Sequence, residues 1–188
     1  MSNTMSLVRP TFFGTVKTKT IATLVAVFAA VAVPQIFHFV GAVSGYGTVP
    51  GEIFLPMHLP ILLVGLLAGP IAGFVAGLCG PIISFALSGM PIATVLPFMA
   101  IELAFYGFTS GLLAQTKLPV IGKLLLAQIA GRSARAVAVL IAVYGIGIET
   151  ISVASIWKTV GAGLAGLVLQ WSLLPLIVFW IENRGKEK

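Results

Sequence analysis

Gln128, Arg132 and Arg135 stand at i, i+4 and i+7 of one apolar run, a spacing that sets all three on one face of a helix. Arginine carries a planar, two-pronged donor that stays charged at physiological pH, so a pair on one face suits a carboxylate or phosphate-like group. Counted from Lys123, Arg132 lies about 13 Å along such a helix. If the run crosses a membrane this is near mid-bilayer, where an arginine costs at least about 2.5–3.5 kcal/mol on insertion scales. It must then face a counter-charge or a wet cavity. Glu102, about 12 Å into the preceding run and travelling the opposite way, reaches the same depth and is the expected partner of Arg132. Gln170 falls near that level in the last run. One reading is a structural Glu102–Arg132 pair that locks two helices together. The preferred reading is that at least one arginine lines a solute cavity, because two arginines against one buried glutamate leave a positive charge over. Tyr106, one turn from Glu102 on the same face, belongs either to that cavity or to packing between helices.

A second group of polar residues lies between Gly51 and Pro60, in Gly-Glu-Ile-Phe-Leu-Pro-Met-His-Leu-Pro. Two prolines four residues apart fit an irregular helix entrance that turns the chain inward. Glu52 and His58 are its polar side chains of useful reach. One histidine and one glutamate make a poor metal site, so no metal is expected; a ligand-gating or hydrogen-bonding role fits better. Gly45, Gly47 and Gly51 give the preceding stretch the freedom of a lid or of a loose linker. Trp157 and Tyr46, near other helix ends, could stack on a neutral ring. Cys79 is alone in the chain and sits in an apolar run, so it reads as a small packing residue and not as part of a disulfide framework. The sequence has no P-loop, no His-Glu-x-x-His, no Gly-x-Ser-x-Gly and no Cys-x-x-Cys, and all five acids are glutamate. No enzyme activity is expected, and energy for any pumping must come from another protein.

The elements that position these residues follow from composition. Of 188 residues, 59% are hydrophobic and 9% charged, and the mean hydropathy is +1.11. A soluble domain carries about 25% charged residues, so this chain cannot cover a water-facing surface. Breakers divide it into six apolar segments, near 20–40, 55–68, 71–87, 94–113, 124–146 and 160–181. The predicted fold class is therefore an all-α membrane protein of six transmembrane helices in one domain spanning 1–188. Residues 1–19 form an N-terminal segment and 182–188 a basic tail. Arg9, Lys17 and Lys19 before the first run, with Ala30-Val31-Ala32 within it, resemble a signal peptide and its cleavage site; the stretch is read as a retained first span. With the N-terminus inside, Arg9, Lys17, Lys19, Lys117, Lys123, Arg184, Lys186 and Lys188 are cytoplasmic and Lys158 alone lies in an outer loop. That bias predicts an N-in/C-in topology with stretches 41–52, 88–93 and 149–157 outside. The net charge of +6 then reflects topology and anionic lipid rather than nucleic acid. On the first helix Ala22, Ala26 and Ala30 form a small-xxx-small stripe that suits close helix approach, within the bundle or with a partner.

Size, six helices, N-in/C-in topology and the alanine stripe together resemble the substrate-binding S-components of energy-coupling factor (ECF) transporters. The most specific stretch runs from Leu55-Pro56-Met57-His58-Leu59-Pro60 through Gly65, Gly69-Pro70, Gly73, Gly77 and Pro81 to Ser88-Gly89-Met90-Pro91, with Gly131-Arg132 later. The resemblance implies a prokaryotic plasma-membrane subunit of an ABC-type importer. Such a subunit captures a vitamin from outside under its loops, then joins a transmembrane coupling subunit and two ATPases. It is thought to topple in the membrane to release its cargo, and it needs no cofactor of its own, ATP being used by the partners. By this analogy Ala22, Ala26 and Ala30 would contact the coupling subunit. Substrate would be held among Glu52, His58, Glu102, Tyr106, Gln128, Arg132, Arg135, Trp157 and Gln170. Metal-binding relatives carry an N-terminal ligating histidine, absent from Met1-Ser2-Asn3, and biotin- and thiamine-type signatures are not evident. The arginines favour pantothenate, followed by pyridoxine or hydroxymethylpyrimidine, folate and cobalamin. Two rival classes stand beside this reading. One is a self-sufficient proton-coupled secondary transporter, with Glu102 as the coupling carboxylate. The other is a non-transporting membrane scaffold whose ligand is another helix.

Overall fold

A computed structural model describes residues 12–184. Arg9, Lys186 and Lys188 and the side chain of Arg184, which the topology reading uses, lie outside the described residues. The elements are α1 (Val16–Val43), α2 (Val49–Phe54), α3 (His58–Ala68), α4 (Pro70–Ser88), α5 (Leu96–Ala114), α6 (Val120–Leu140), α7 (Ala154–Ala162) and α8 (Leu164–Arg184), with a π-helical turn at Ile141–Gly145 extending α6. There is no strand among the described residues. Six helical stretches are long and apolar enough to cross a membrane: Val16–Val43, Val49–Ala68, Pro70–Ser88, Leu96–Ala114, Val120–Gly145 and Leu164–Ile181. Six crossings return the chain to the face from which it started.

The helix boundaries follow local chemistry. The side chain of Thr15 caps α1 by accepting from the Thr18 N–H at 3.2 Å. The second span is broken, because Leu55 takes the left-handed conformation (φ 48°, ψ 49°) and Pro56 follows it. From the sequence this span is expected to begin only at residue 55, with 41–52 as a loop. In the structure α1 runs on to Val43, and α2 occupies the end of that glycine-containing stretch. An eleven-residue α3 persists because it is buried almost all round, by Ile61, Leu62, Val64, Leu66 and Leu67 among others. Gly69, at φ 99°, ends it in a region closed to side chains, and Pro70 opens α4. The 149–157 stretch, expected as a loop, already contains the start of α7.

Helices α3, α4 and α5 form the centre of the bundle. Lipid offers no hydrophobic drive between helices, so close packing has to replace it. Gly73 and Gly107 face each other so closely that a Cβ on either would meet the other's backbone. Gly77 lies similarly against Leu103, and Gly111 against Gly69 and Pro70. The outward faces carry exposed Leu24, Phe28, Phe39, Ile71, Leu87, Ile129 and Phe179, an apolar surface suited to acyl chains.

The alanine stripe of α1 points into this bundle. Ala26 and Ala30 are 6% and 0% exposed and Ala22 packs against the same core. A Cβ on Gly80 of α4 would touch the Ala30 methyl at 3.2 Å. Within this chain Ala26 and Ala30 are taken up by the α1–α4 approach, Ala22 stays half-buried beside them, and the opposite face of α1 is uncovered.

Candidate functional site

The end of the bundle at which α1 and α4 finish and α3 and α5 begin encloses a cavity of about 500 Å³. Every span but the last contributes to its walls, together with α7 and the 89–95 connection. Pro34 and His38 come from α1; Thr48, Gly51 and Glu52 from α2 and its start; Leu55, Pro56, Met57 and His58 from the break; Ser84 from α4. Met90, Pro91, Ile92 and Val95 form one side, and Met99 and Glu102 of α5, Arg132 and Arg135 of α6, and Ser155, Lys158, Thr159 and Ala162 complete it. The lining is mostly apolar, with a few converging polar groups, the composition of a small-molecule site.

The helix break builds the entrance. Breaking the second span at residues 55–57 brings α2 across the cavity mouth and points α3 inward from His58. Gly51 allows this, since a Cβ there would lie 3.2 Å from the His38 ring. Thr48 donates to Glu52 Oε1 at 2.9 Å, which keeps this exposed carboxylate on α2 at the rim. Leu55 holds a backbone conformation that costs a non-glycine residue on the order of 1 kcal/mol, and strain of that kind collects at ligand clamps.

The buried wall is electrostatic. Arg135 Nη1 donates to Glu102 Oε2 at 2.8 Å, with side chains 13% and 2% exposed. Tyr106 donates its hydroxyl to Glu102 Oε1 at 3.2 Å, and the His58 ring stands edge-on to Tyr106 at 5.3 Å. Gly131 makes the arrangement possible: a Cβ there would enter the Tyr106 ring and lie 2.7 Å from the Glu102 carbonyl oxygen. Only a bare backbone lets α6 press on α5 at this level, delivering both arginines beside Glu102. The expected Glu102–Arg132 pair is corrected, because the partner of Glu102 is Arg135. Arg132 instead buries its Nε and Nη2 without a hydrogen-bond partner for either, as does Arg135 its Nε. His58 Nδ1 and Ser84 Oγ, on residues 3% and 1% exposed, are also buried and unpartnered.

Five of the nine expected site residues therefore meet at the cavity: Glu52, His58, Glu102, Arg132 and Arg135. Tyr106 lies behind its wall as the hydrogen-bond partner of Glu102. Gln128 and Gln170 do not join it. Gln128 Nε2 donates to Gln170 Oε1 at 2.8 Å, and Trp171 Nε1 donates to Gln128 Oε1 at 2.8 Å, so they clamp α6 to α8. Gln128 shares its face with the arginines, yet it stands about 10 Å from Arg135 along the axis, far enough for one stripe to serve two layers. Trp157 is 73% exposed on α7 and outside the lining. Sequence reasoning missed His38, Ser84, Met99 and Lys158 as lining residues. Spacing held a signal for two of them: Ser84 is one turn beyond Gly80 on the small-residue face of α4, and Met99 one turn before Glu102. Among the described residues, no three His, Cys, Asp or Glu side chains cluster as a metal site would require.

Comparison with protein-family models, curated proteins and solved structures gives no match. The chain is nonetheless a multi-pass membrane protein, compatible with a transporter subunit. Its cavity lies at one end of the bundle, opposite the face that carries the first and last described residues.

Proposed function

We propose that this chain is the substrate-capture subunit of an ECF-type importer. It binds a water-soluble vitamin or precursor from outside and delivers it inward with a separate coupling subunit and two ATPases. The observation that carries the reading is the cavity itself: about 500 Å³ at one end of a six-span bundle, walled by an ion pair and by Arg132, a half-buried arginine whose Nε and Nη2 are buried without partners. Charged groups at membrane depth are costly and mark solute pathways. Lys17, Lys19, Lys117 and Lys123 sit at the opposite end and Lys158 at the cavity end. The positive-inside bias then turns the cavity outward, where a capture subunit meets its substrate. Its volume suits a pantothenate- or pyridoxine-sized molecule and is far too small for cobalamin. The broken entrance at 55–57, with α2 and α7 over the mouth, gives a rim that can open and close while the glycine-packed α3–α4–α5 centre stays fixed.

Uptake of radiolabelled vitamins into vesicles tests this. Accumulation is expected only when the chain is reconstituted with a coupling subunit and ATPases, with ATP enclosed on the cytoplasmic side. Uptake by the lone chain that dissipates a proton gradient would replace this reading with secondary transport. An absence of binding and uptake with every vitamin in both preparations would leave the scaffold.

A further inference from the structure

The polar wall of the cavity is divided between occupied and unoccupied groups, and the division defines a ligand. Three cations, Arg132, Arg135 and Lys158, face two carboxylates, Glu52 and Glu102. Arg135 is committed to Glu102 at 2.8 Å, and Lys158 is exposed at the rim. Arg132 is different. The atoms it buries without a hydrogen-bond partner are Nε and Nη2, the two that form one edge of the guanidinium plane. That edge carries two parallel N–H donors, the match of a carboxylate's two oxygens, and since Nη2 lies beside Gly163 and Leu55 the guanidinium has to turn into the cavity to meet a ligand. A buried donor left unmade costs on the order of 1–3 kcal/mol, and more on a charged group, so such an edge is a standing demand for an acceptor. Ser84 Oγ and His58 Nδ1, on residues 1% and 3% exposed that line the same cavity, are likewise buried without partners, a second and neutral demand.

We infer that the cavity takes a small organic monoanion: one carboxylate on the Nε–Nη2 edge of Arg132, and one neutral hydroxyl or amide group on Ser84 and His58. This rests on the capture reading above and names its substrate class. A phosphate dianion is disfavoured: with Arg135 already serving Glu102, its second charge has only Lys158 to meet, and that ammonium stands exposed at the rim. An amine is excluded by the positive balance of the wall.

The test is isothermal titration of the purified full-length chain with matched pairs that differ at the carboxylate: pantothenate and panthenol, nicotinate and nicotinamide, biotin and biotin amide. Pyridoxine, thiamine and pyridoxal phosphate complete the panel. The expected binder is a carboxylate whose neutral counterpart binds at least about 100-fold more weakly, as loss of a charge-assisted pair of hydrogen bonds dictates. Arg132→Gln is expected to weaken it by a similar factor while leaving the melting temperature of the ligand-free protein unchanged or higher. Arg132→Lys, which keeps charge but loses the fork, should fall between, and Ser84→Ala should weaken binding about tenfold. Tight binding of a neutral, cationic or phosphorylated compound overturns the monoanion class while the capture reading stands. Unchanged affinity in Arg132→Gln, or a ligand-free protein that this substitution destabilises, assigns Arg132 to packing and overturns the proposal. No binding by any compound, with no molecule released on denaturing the purified chain, overturns both.

Discussion

Replacing Glu102 by glutamine keeps the shape of the side chain and its oxygen for Tyr106 but removes the charge opposite Arg135. The pair is short, 2.8 Å, and its side chains are 2% and 13% exposed. Breaking a buried pair from one side costs about 3–5 kcal/mol, because the remaining charge keeps its desolvation penalty and loses its compensation. Arg135 lines the cavity and can draw on water there, so the low end of that range applies, about 3 kcal/mol. The double variant Glu102→Gln/Arg135→Gln removes both charges and should recover to within about 1 kcal/mol of the parent; with Arg135→Gln alone costing about 3 kcal/mol by the same argument, the coupling is roughly 5 kcal/mol. Unfolding in mixed micelles with increasing dodecyl sulfate, followed by circular dichroism, measures all four corners of the cycle. A loss below about 0.5 kcal/mol in Glu102→Gln, the size of a solvated surface pair, with additive single variants would refute the reasoning. It would mean that water already screens the pair and that the wall is not a low-dielectric surface.

Two further predictions concern the frame that holds the site. Gly107→Val places a branched side chain against the Gly73 backbone; α4 and α5 must separate, and the same unfolding titration should show a loss of about 3 kcal/mol or failure to fold. Gln128→Leu strips Gln170 and Trp171 of buried partners. It should cost about 1–3 kcal/mol while ligand affinity, measured by titration calorimetry, stays within about twofold of the parent, since the clamp lies outside the cavity.

Much of this architecture is legible in the chain. Glycine and proline at 69–70, 80–81 and 89–91 mark bends and close approaches, and the apolar runs between them point to six crossings, although the second run, 55–68, reaches the length of a span only when α2 is added. The Glu102 level and the arginine face also follow from periodicity. What periodicity lacks is azimuth and depth to within a turn. Arg132 and Arg135 are about 4.5 Å apart along one face, and which of them meets Glu102 depends on how far α6 slides on α5. Gly131 sets that slide, and its role is visible only once the Tyr106 ring is seen beneath it. The alanine stripe shows the same limit from the other side: small residues announce a close neighbour without saying whether it belongs to this chain. Helix α2 escaped because Pro50 and Gly51 read as breakers, whereas here Pro50 sits in the first turn and Gly51 makes room for His38. His38 was overlooked for the same reason, since its place at the cavity depends on α2 folding back over α1.

Capture of a small molecule by the lone chain is the central claim, and native mass spectrometry of the gently purified protein addresses it most directly. The account predicts a stoichiometric adduct, released on denaturation and identified as a vitamin-sized carboxylate, and lost in Arg132→Gln. A wild-type chain that flies without any adduct, and whose mass and melting temperature do not respond to any vitamin offered, would contradict it.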